Sequence, residues 1–405
     1  MTHGLDPARL DRIVRHLDRH YLEPGRLPNY DVAVLRRGKL ALRATGGMAD
    51  VEKGVPLRDD AIFRIYSMTK PVTSVALMQL FEQGRFQLDE PVVRHLPEWS
   101  QGHRVWTGER DGSFGTEPAR RPITYRDLLS HTSGLTYGTA LRMLGVTPES
   151  PVESHYEEVS TSRGTTLDAL VNSLARVPLR FHPGERWMYS LATDVCGALV
   201  ERISGKRLDR YFQEEIFEPL GMVDTAFHVP PEKVDRFTCA YMKTAASPLS
   251  LVETADPSPY LREPAFFSGG GGLVGTMADY IRFADMLRAG GALNGTRIIG
   301  ERTLELMGEN HLKDGRSLYE MAIGLFSETT TVGAGFGLGF ASTIDPVAAG
   351  SLASSDRYWG GAASTYFWFD PEEELAVVFM TQLFPSNAYD LRRQLKQLVY
   401  AAIQD

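Results

Sequence analysis

Ser67 and Lys70 stand three residues apart in the stretch "FRIYSMTKPVTSVALMQLFEQG", residues 63–84. A serine hydroxyl becomes an effective nucleophile only when a neighbouring base removes its proton. A lysine can be that base when burial or a nearby cation brings its pKa toward neutrality. Pro71 fixes the local geometry. Proline is tolerated in the first turn of a helix, where its missing N–H has no intrahelical partner, so the helix must begin near Ser67 or Met68. Val72, Val75, Ala76 and Leu80 then give an apolar face that runs to a stop at Gly84. Ser67 is thereby placed at the positive end of a helix dipole, beside unsatisfied backbone N–H groups. Lys70 lies one turn on and on the same face, with the Cβ atoms roughly 5–6 Å apart. Free N–H groups suit a developing oxyanion, so the chemistry on offer is acyl transfer. A serine N-cap followed by a solvated lysine fits the same residues, and on this stretch alone it is the simpler reading.

Other catalytic plans find less support. The chain contains no Gly-x-Ser-x-Gly, so a nucleophile elbow is not expected. Residues 270–275, "GGGLVG", match Gly-x-Gly-x-x-Gly, but the preceding "LREPAFFS" is not the strand of a βαβ unit. A flexible turn into a helix capped by Thr276 is expected there. His16 and His20 have the spacing of a zinc-binding pair, yet Leu17 stands where the glutamate belongs, and solvated helix-face histidines are expected. Cys196 and Cys239 form neither a disulfide framework nor a metal quartet and read as small core residues. No metal or organic cofactor is implied.

The elements that must position Ser67 come from both ends of the chain. Asp6-Pro7 is an N-cap with proline at the first helical position, and Leu10, Ile13, Val14, Leu17 and Tyr21 recur at helical spacing until Pro24-Gly25. "YDVAVLRRGKLALRATG" alternates at Val32 and Val34, turns at Arg37-Gly38 and predicts a β-hairpin. Near the other end, "STYFWFDPEEELAVVFMTQL" predicts two strands about a turn at Asp370-Pro371, followed by a helix with Leu391, Leu395, Leu398 and Ala402 on one face. The economical arrangement is one antiparallel sheet made from both ends with the terminal helices packed on it. Residues 88–227 read as helices and irregular loops, and the polar, glycine-rich residues 105–119 as a surface loop.

Length and composition set the limits. At 405 residues the chain is too long for one small core and predicts two domains, or one with a large insertion. With 43% hydrophobic and 23% charged residues it belongs with globular proteins, which excludes disordered and fibrous classes. A net charge of -8 offers no basic excess for nucleic acid or for an anionic membrane. The N-terminal residues are polar and helical in pattern, and no apolar run is long enough to span a bilayer, so a cytoplasmic location is expected.

Three further motifs follow Ser67 in order: "LLSHTSGL" at 128–135, "HPGERWMYSLATDVCG" at 182–197 and "YWGGAAS" at 358–364. In this order and at these distances the chain resembles the serine β-lactamase and penicillin-binding-protein superfamily. The likeness runs from about Asp6 to the C-terminus and is strongest to class C β-lactamases and to the family VIII carboxylesterases built on the same fold. The resemblance implies an α+β fold, an antiparallel sheet flanked by helices as an α/β sandwich, with a mostly helical domain inserted. It places the sandwich in residues 1–88 and 228–405, the helical domain in 89–227, and the active site between them.

By the same resemblance Ser67 is the nucleophile, Lys70 its partner in Ser-x-x-Lys, and Tyr189 the tyrosine of Tyr-x-Asn. A tyrosine beside Lys70 could share its proton, act as base and then protonate a leaving alcohol. Trp359-Gly360-Gly361 stands where many relatives have Lys-Thr-Gly or His-x-Gly, glycines there letting a strand edge lie against substrate. The N–H of Ala362 becomes the second oxyanion donor beside that of Ser67. His131 is expected to tie the helical domain together. The chain departs from the β-lactamase pattern at Leu191, in the asparagine position, and at Trp359, in the lysine position. Loss of a hydrogen bond to a charged group costs about 1.5–3 kcal/mol, so an anionic lactam is disfavoured and a neutral small-molecule ester preferred. Hydrolysis of short-chain carboxylic esters is the expected activity. An acyltransferase, an amide or β-lactam hydrolase, and a non-catalytic binding protein on the same scaffold remain as alternatives, and the sequence leaves the oligomeric state open.

Overall fold

The computed structural model describes residues 3–110, 113–138, 150–156, 159, 161–323 and 332–404. Helix α1, Pro7–Leu17, starts at Asp6, whose carboxylate accepts from the N–H groups of Ala8 and Arg9. Strands β1, Asn29–Arg36, and β2, Lys39–Asp50, form the expected hairpin. Its turn residues Arg37 and Gly38 both have positive φ, 53° and 68°, the geometry that matches the twist of paired strands. The short β3, Val55–Pro56, lies on the outer side of β2. From the other end come β4, Ala334–Phe336, β5, Ala341–Thr343, β6, Arg357–Gly360, β7, Tyr366–Asp370, and β8, Leu375–Met380. They join β1 in one antiparallel sheet of order β4-β5-β6-β7-β8-β1-β2-β3. The fold is thus mixed α and β around a large antiparallel sheet, as expected.

Helix α2, Thr69–Glu82, carries the Ser-x-x-Lys motif. Helix α3, Ala192–Ser204, packs against α2, and α4, Met277–Arg288, packs across β7, β8 and β1. Helix α5, Leu391–Tyr400, packs with α1, where Gln394 Oε1 meets His16 Nε2 at 2.8 Å and accepts from the Tyr21 hydroxyl at 2.6 Å. His16 is therefore half-buried against α5 rather than solvated. The pleat of β7 shows the two faces: Phe367 meets Tyr280 of α4, whereas Tyr366 meets Arg392 of α5. Because both faces are covered, β1 is buried at every residue, and the expected alternation at Val32 and Val34 does not mark an exposed face.

Two other expectations are corrected. The apolar positions of α2 predict one buried face, but every residue from Thr69 to Leu80 is buried. Some of its polar side chains find internal partners, as Thr73 does in donating to the Gly269 carbonyl at 2.7 Å, whereas Ser74 Oγ has none among the described residues. Residues expected as a surface loop form a hairpin instead, Arg104–Arg110 with Ser113–Pro118. Its strands are polar because their main partners are each other. Trp106 and Phe114 face across it with ring centroids 6.5 Å apart, and the Trp106 N–H bonds the Leu179 carbonyl. The rest of that region carries helices as expected, among them Tyr125–Leu129 and Leu167–Leu174, the latter capped by Thr166. Among the described residues no helix is long and apolar enough to cross a membrane.

Candidate active site

Ser67 lies in a single 3-10 turn, Tyr66–Met68, that runs directly into α2. Pro71 sits at the third helical position, inside the first turn where the sequence requires it. Tyr66 has φ +45°, a left-handed conformation that costs a non-glycine residue about 1–2 kcal/mol. Packing holds it there, with the Tyr66 ring edge-on to Phe384 at 5.3 Å. The strained residue thus immediately precedes the serine.

Lys70 is 1% exposed and Ser67 8% exposed. The Lys70 ammonium donates to Ser67 Oγ at 3.2 Å and to the Gly270 carbonyl at 2.5 Å. Its Nζ also stands 4.5 Å from the centre of the Tyr189 ring and 5.6 Å from that of Tyr137. Tyr189 arrives on the segment just before α3, anchored where the Met188 N–H bonds the His131 carbonyl. Sequence motifs more than a hundred residues apart therefore meet around one buried ammonium.

The β6–β7 hairpin closes another side. Its turn is fixed by the Gly361 N–H on the Thr365 carbonyl at 2.9 Å. A Cβ added to Gly361 would come within 2.5 Å of the Ile65 carbonyl, so the hairpin backbone rests against the residue two before Ser67. Ala362 packs in a small apolar cluster with Tyr66, Ala363 and Phe384. Among the described residues, neither the Ser67 N–H nor the Ala362 N–H has an acceptor. An oxyanion requires free donors of this kind.

The other expected substrate contacts are placed differently. Trp359 is fully buried, and its indole N–H donates to the Tyr189 hydroxyl at 3.3 Å. Gly360 faces the opposite side of the sheet, where a Cβ would meet Arg392 at 2.6 Å. Leu191 is buried at the start of α3, with its N–H toward the Thr136 carbonyl at 3.5 Å. His131 is buried between Ser190 Oγ at 3.3 Å and Thr193 Oγ1 at 3.4 Å. Burial first, and then the charge of Lys70, push its pKa well below the usual histidine range. A neutral His131 cross-linking two loops fits the structural role expected of it.

Sequence reading missed the support of Lys70. Gly270, at the start of the stretch expected as a flexible turn, is buried, as is Gly269 before it, and the two form a wall of the site. The Asp194 carboxylate accepts from the Gly270 N–H at 3.0 Å and from Ser268 Oγ at 2.6 Å. It thereby orients the carbonyl that receives the Lys70 proton. Burial raises the Asp194 pKa, while the Ser268 bond and the Lys70 charge oppose that rise. A Cβ on Gly270 would fall 2.5 Å from Asp194 Oδ2, so only glycine fits. The available signal was an acid in the first turn of a helix, five residues after Tyr189 and followed by six uncharged residues.

The Beta-lactamase family model matches residues 10–402. Protein Rv1367c of Mycobacterium tuberculosis is 33% identical, over 92% of this chain and 90% of its own. Esterase EstB of Burkholderia gladioli is 31% identical, over 97% of this chain and 95% of its own. Among solved structures, EstCE1, described as a hydrolase with promiscuous acyltransferase activity, superposes with a TM-score of 0.78 at 29% identity, covering 97% of this chain and 99% of its own. A family model that spans nearly the whole chain, together with the buried serine–lysine pair at its centre, places the protein in the beta-lactamase family, within the superfamily of serine β-lactamases and penicillin-binding proteins.

Proposed function

We propose that the protein hydrolyses short-chain carboxylic esters through an acyl-enzyme on Ser67, as family VIII carboxylesterases do. The observation that carries this reading is the contact of Lys70 with both Ser67 Oγ and the Gly270 carbonyl, beside Tyr189. Ser67 Oγ attacks the ester carbonyl, and its proton passes to the Lys70–Tyr189 pair. The carbonyl oxygen becomes an oxyanion held by the N–H groups of Ser67 and Ala362. Collapse expels the alkoxide, which takes a proton from Tyr189. Water, deprotonated by the same pair, then attacks the acyl-enzyme and releases the acid and Ser67. Similarity to Esterase EstB supports the reaction class. The buried Leu191 and the neutral, engaged Trp359 leave no cation or amide in the positions that β-lactamases use for an anionic drug, which supports a neutral substrate.

The test is Ser67→Ala, assayed with nitrophenyl esters and with an organophosphonate label followed by intact mass. Both turnover and labelling should vanish, and an active variant would sink the proposal. The described acyltransferase activity of EstCE1 supports a second outcome for the same intermediate, capture by an added alcohol in place of water. Product analysis with and without an alcohol acceptor separates the two.

A further inference from the structure

The Gly361 carbonyl and the Ala362 N–H belong to one peptide unit, so whatever grips the carbonyl also aims the N–H. The peptide is trans, and in a planar trans peptide the two groups point in opposite directions. The carbonyl accepts from the Ser364 N–H at 3.0 Å, which closes a four-residue turn with Ala362 and Ala363 at its centre. It also accepts from Nη2 of Arg392, on helix α5, at 2.9 Å. The same nitrogen donates at 3.0 Å to the Thr365 carbonyl, which in turn accepts from the Gly361 N–H at 2.9 Å. One guanidinium nitrogen therefore joins the two ends of the turn. The arginine is confined there. Its Cζ lies 5.2 Å from the centre of the Tyr366 ring, and a Cβ on Gly360 would meet Nη2 at 2.6 Å.

The consequence for Ala362 is directional. Arg392 approaches from the sheet face opposite to the one where Trp359 meets Tyr189. With its carbonyl turned toward Arg392, the peptide turns the Ala362 N–H away from α5 and leaves it without an acceptor among the described residues. Ala362 packs on the same small cluster as Tyr66, the residue before Ser67. A hydrogen bond accepted by an amide oxygen also makes that amide a better donor, since bonds in a chain polarise one another.

We propose that Arg392 is a positioning residue for the reaction at Ser67. It sets the direction and the donor strength of the Ala362 N–H, and so acts on the oxyanion through that peptide. The inference rests on the function proposed above.

The experiment compares the full chain with Arg392→Ala, Arg392→Lys and Arg393→Ala, using nitrophenyl esters and the rate of organophosphonate labelling. Arg392→Ala should lower kcat and the labelling rate by about 10–100-fold, short of the loss of a whole oxyanion donor, with KM little changed. Arg392→Lys keeps an N–H donor and should recover part of the loss. So should guanidinium ion added to Arg392→Ala at concentrations far below those that denature, because Arg392 lines a cavity of about 240 Å³ that can admit it. Arg393, exposed and one position on, is the control, and its variant should keep the wild-type kcat. Melting temperatures show that each variant is folded. A wild-type chain that neither turns over the esters nor takes the label refutes the function itself, and this proposal with it. With an active wild type, the positioning role alone is overturned if Arg392→Ala keeps its kcat or loses no more than Arg393→Ala. A loss that neither lysine nor guanidinium reverses overturns it as well.

Discussion

The indole N–H of Trp359 donates to the hydroxyl of Tyr189 at 3.3 Å, joining the strand end to the tyrosine beside Lys70. A residue expected to touch substrate instead grips the tyrosine proposed to carry the proton. The bond fixes where the Tyr189 hydroxyl stands relative to the rest of the site.

Trp359→Phe removes that donor while keeping an aromatic ring. We expect kcat to fall about tenfold, the scale of one hydrogen bond, with KM little changed. An unchanged kcat would show that the bond serves packing alone.

Lys70→Ala and Tyr189→Phe should each lower kcat by about 10²–10⁴-fold, the range for a positioned acid–base group. In the proposed mechanism the two groups act on one proton, so the double variant should be scarcely slower than the worse single one. Fully multiplicative losses in steady-state kinetics would mean that they act independently.

Asp194→Ala leaves the buried Gly270 N–H and the Ser268 hydroxyl without their acceptor. A loss of about 1–3 kcal/mol in stability is expected from the orphaned groups, measured by urea titration. Activity should fall as well, as the Gly270 carbonyl loosens from Lys70. Asp194→Asn keeps an acceptor oxygen and should recover much of the stability. If Asn recovers stability without activity, the charge of Asp194 matters as well as its position.

His103 is buried against Trp99, and burial pushes its pKa down to about 4, a hydrogen bond to the Leu174 backbone partly opposing this. The unfolded chain, with a histidine pKa near 6.5, binds an extra proton between those values. The stability that His103 contributes is therefore complete above pH ~6.5 and declines toward pH ~4, by up to about 3 kcal/mol. Asp31 works in the opposite sense. Burial raises its pKa to about 6 against the pull of Arg43, so the cost of ionising it in the fold disappears as pH falls from about 6 toward its unfolded value. His103→Gln should flatten the acid side of the stability profile, and urea midpoints at pH 7 and 4.5 read the difference. Parallel profiles for wild type and variant would refute the assignment.

The serine–lysine pair was legible because Pro71 permits one helix start and because one helical turn brings residues 67 and 70 together. The strand pairs of the sheet were legible from turns such as Arg37-Gly38 and Asp370-Pro371. What escaped was set by long-range contact. Nothing local to Asp194 or Gly270 says that they meet, since they are 76 positions apart and neither has the other in its pattern. Trp359 was read by its place in a motif, and a place does not say where an indole points. The pairing of Arg104–Arg110 with Ser113–Pro118 was hidden because these strands are polar and pack mainly on each other. Helix α2 was read as one-sided because Thr73 and Gln79 look solvent-facing until the carbonyls that receive them are seen.

The burial of α2 from Thr69 to Leu80 has a consequence for how the protein fails. A catalytic serine on a surface loop can fray while the rest of the molecule stays folded. Ser67 and Lys70 instead head the most enclosed helix, wedged against α3 and the buried glycines, and have no separate way to loosen. Loss of activity in denaturant should coincide with loss of the whole fold, so that residual turnover becomes a direct gauge of how many molecules are still native.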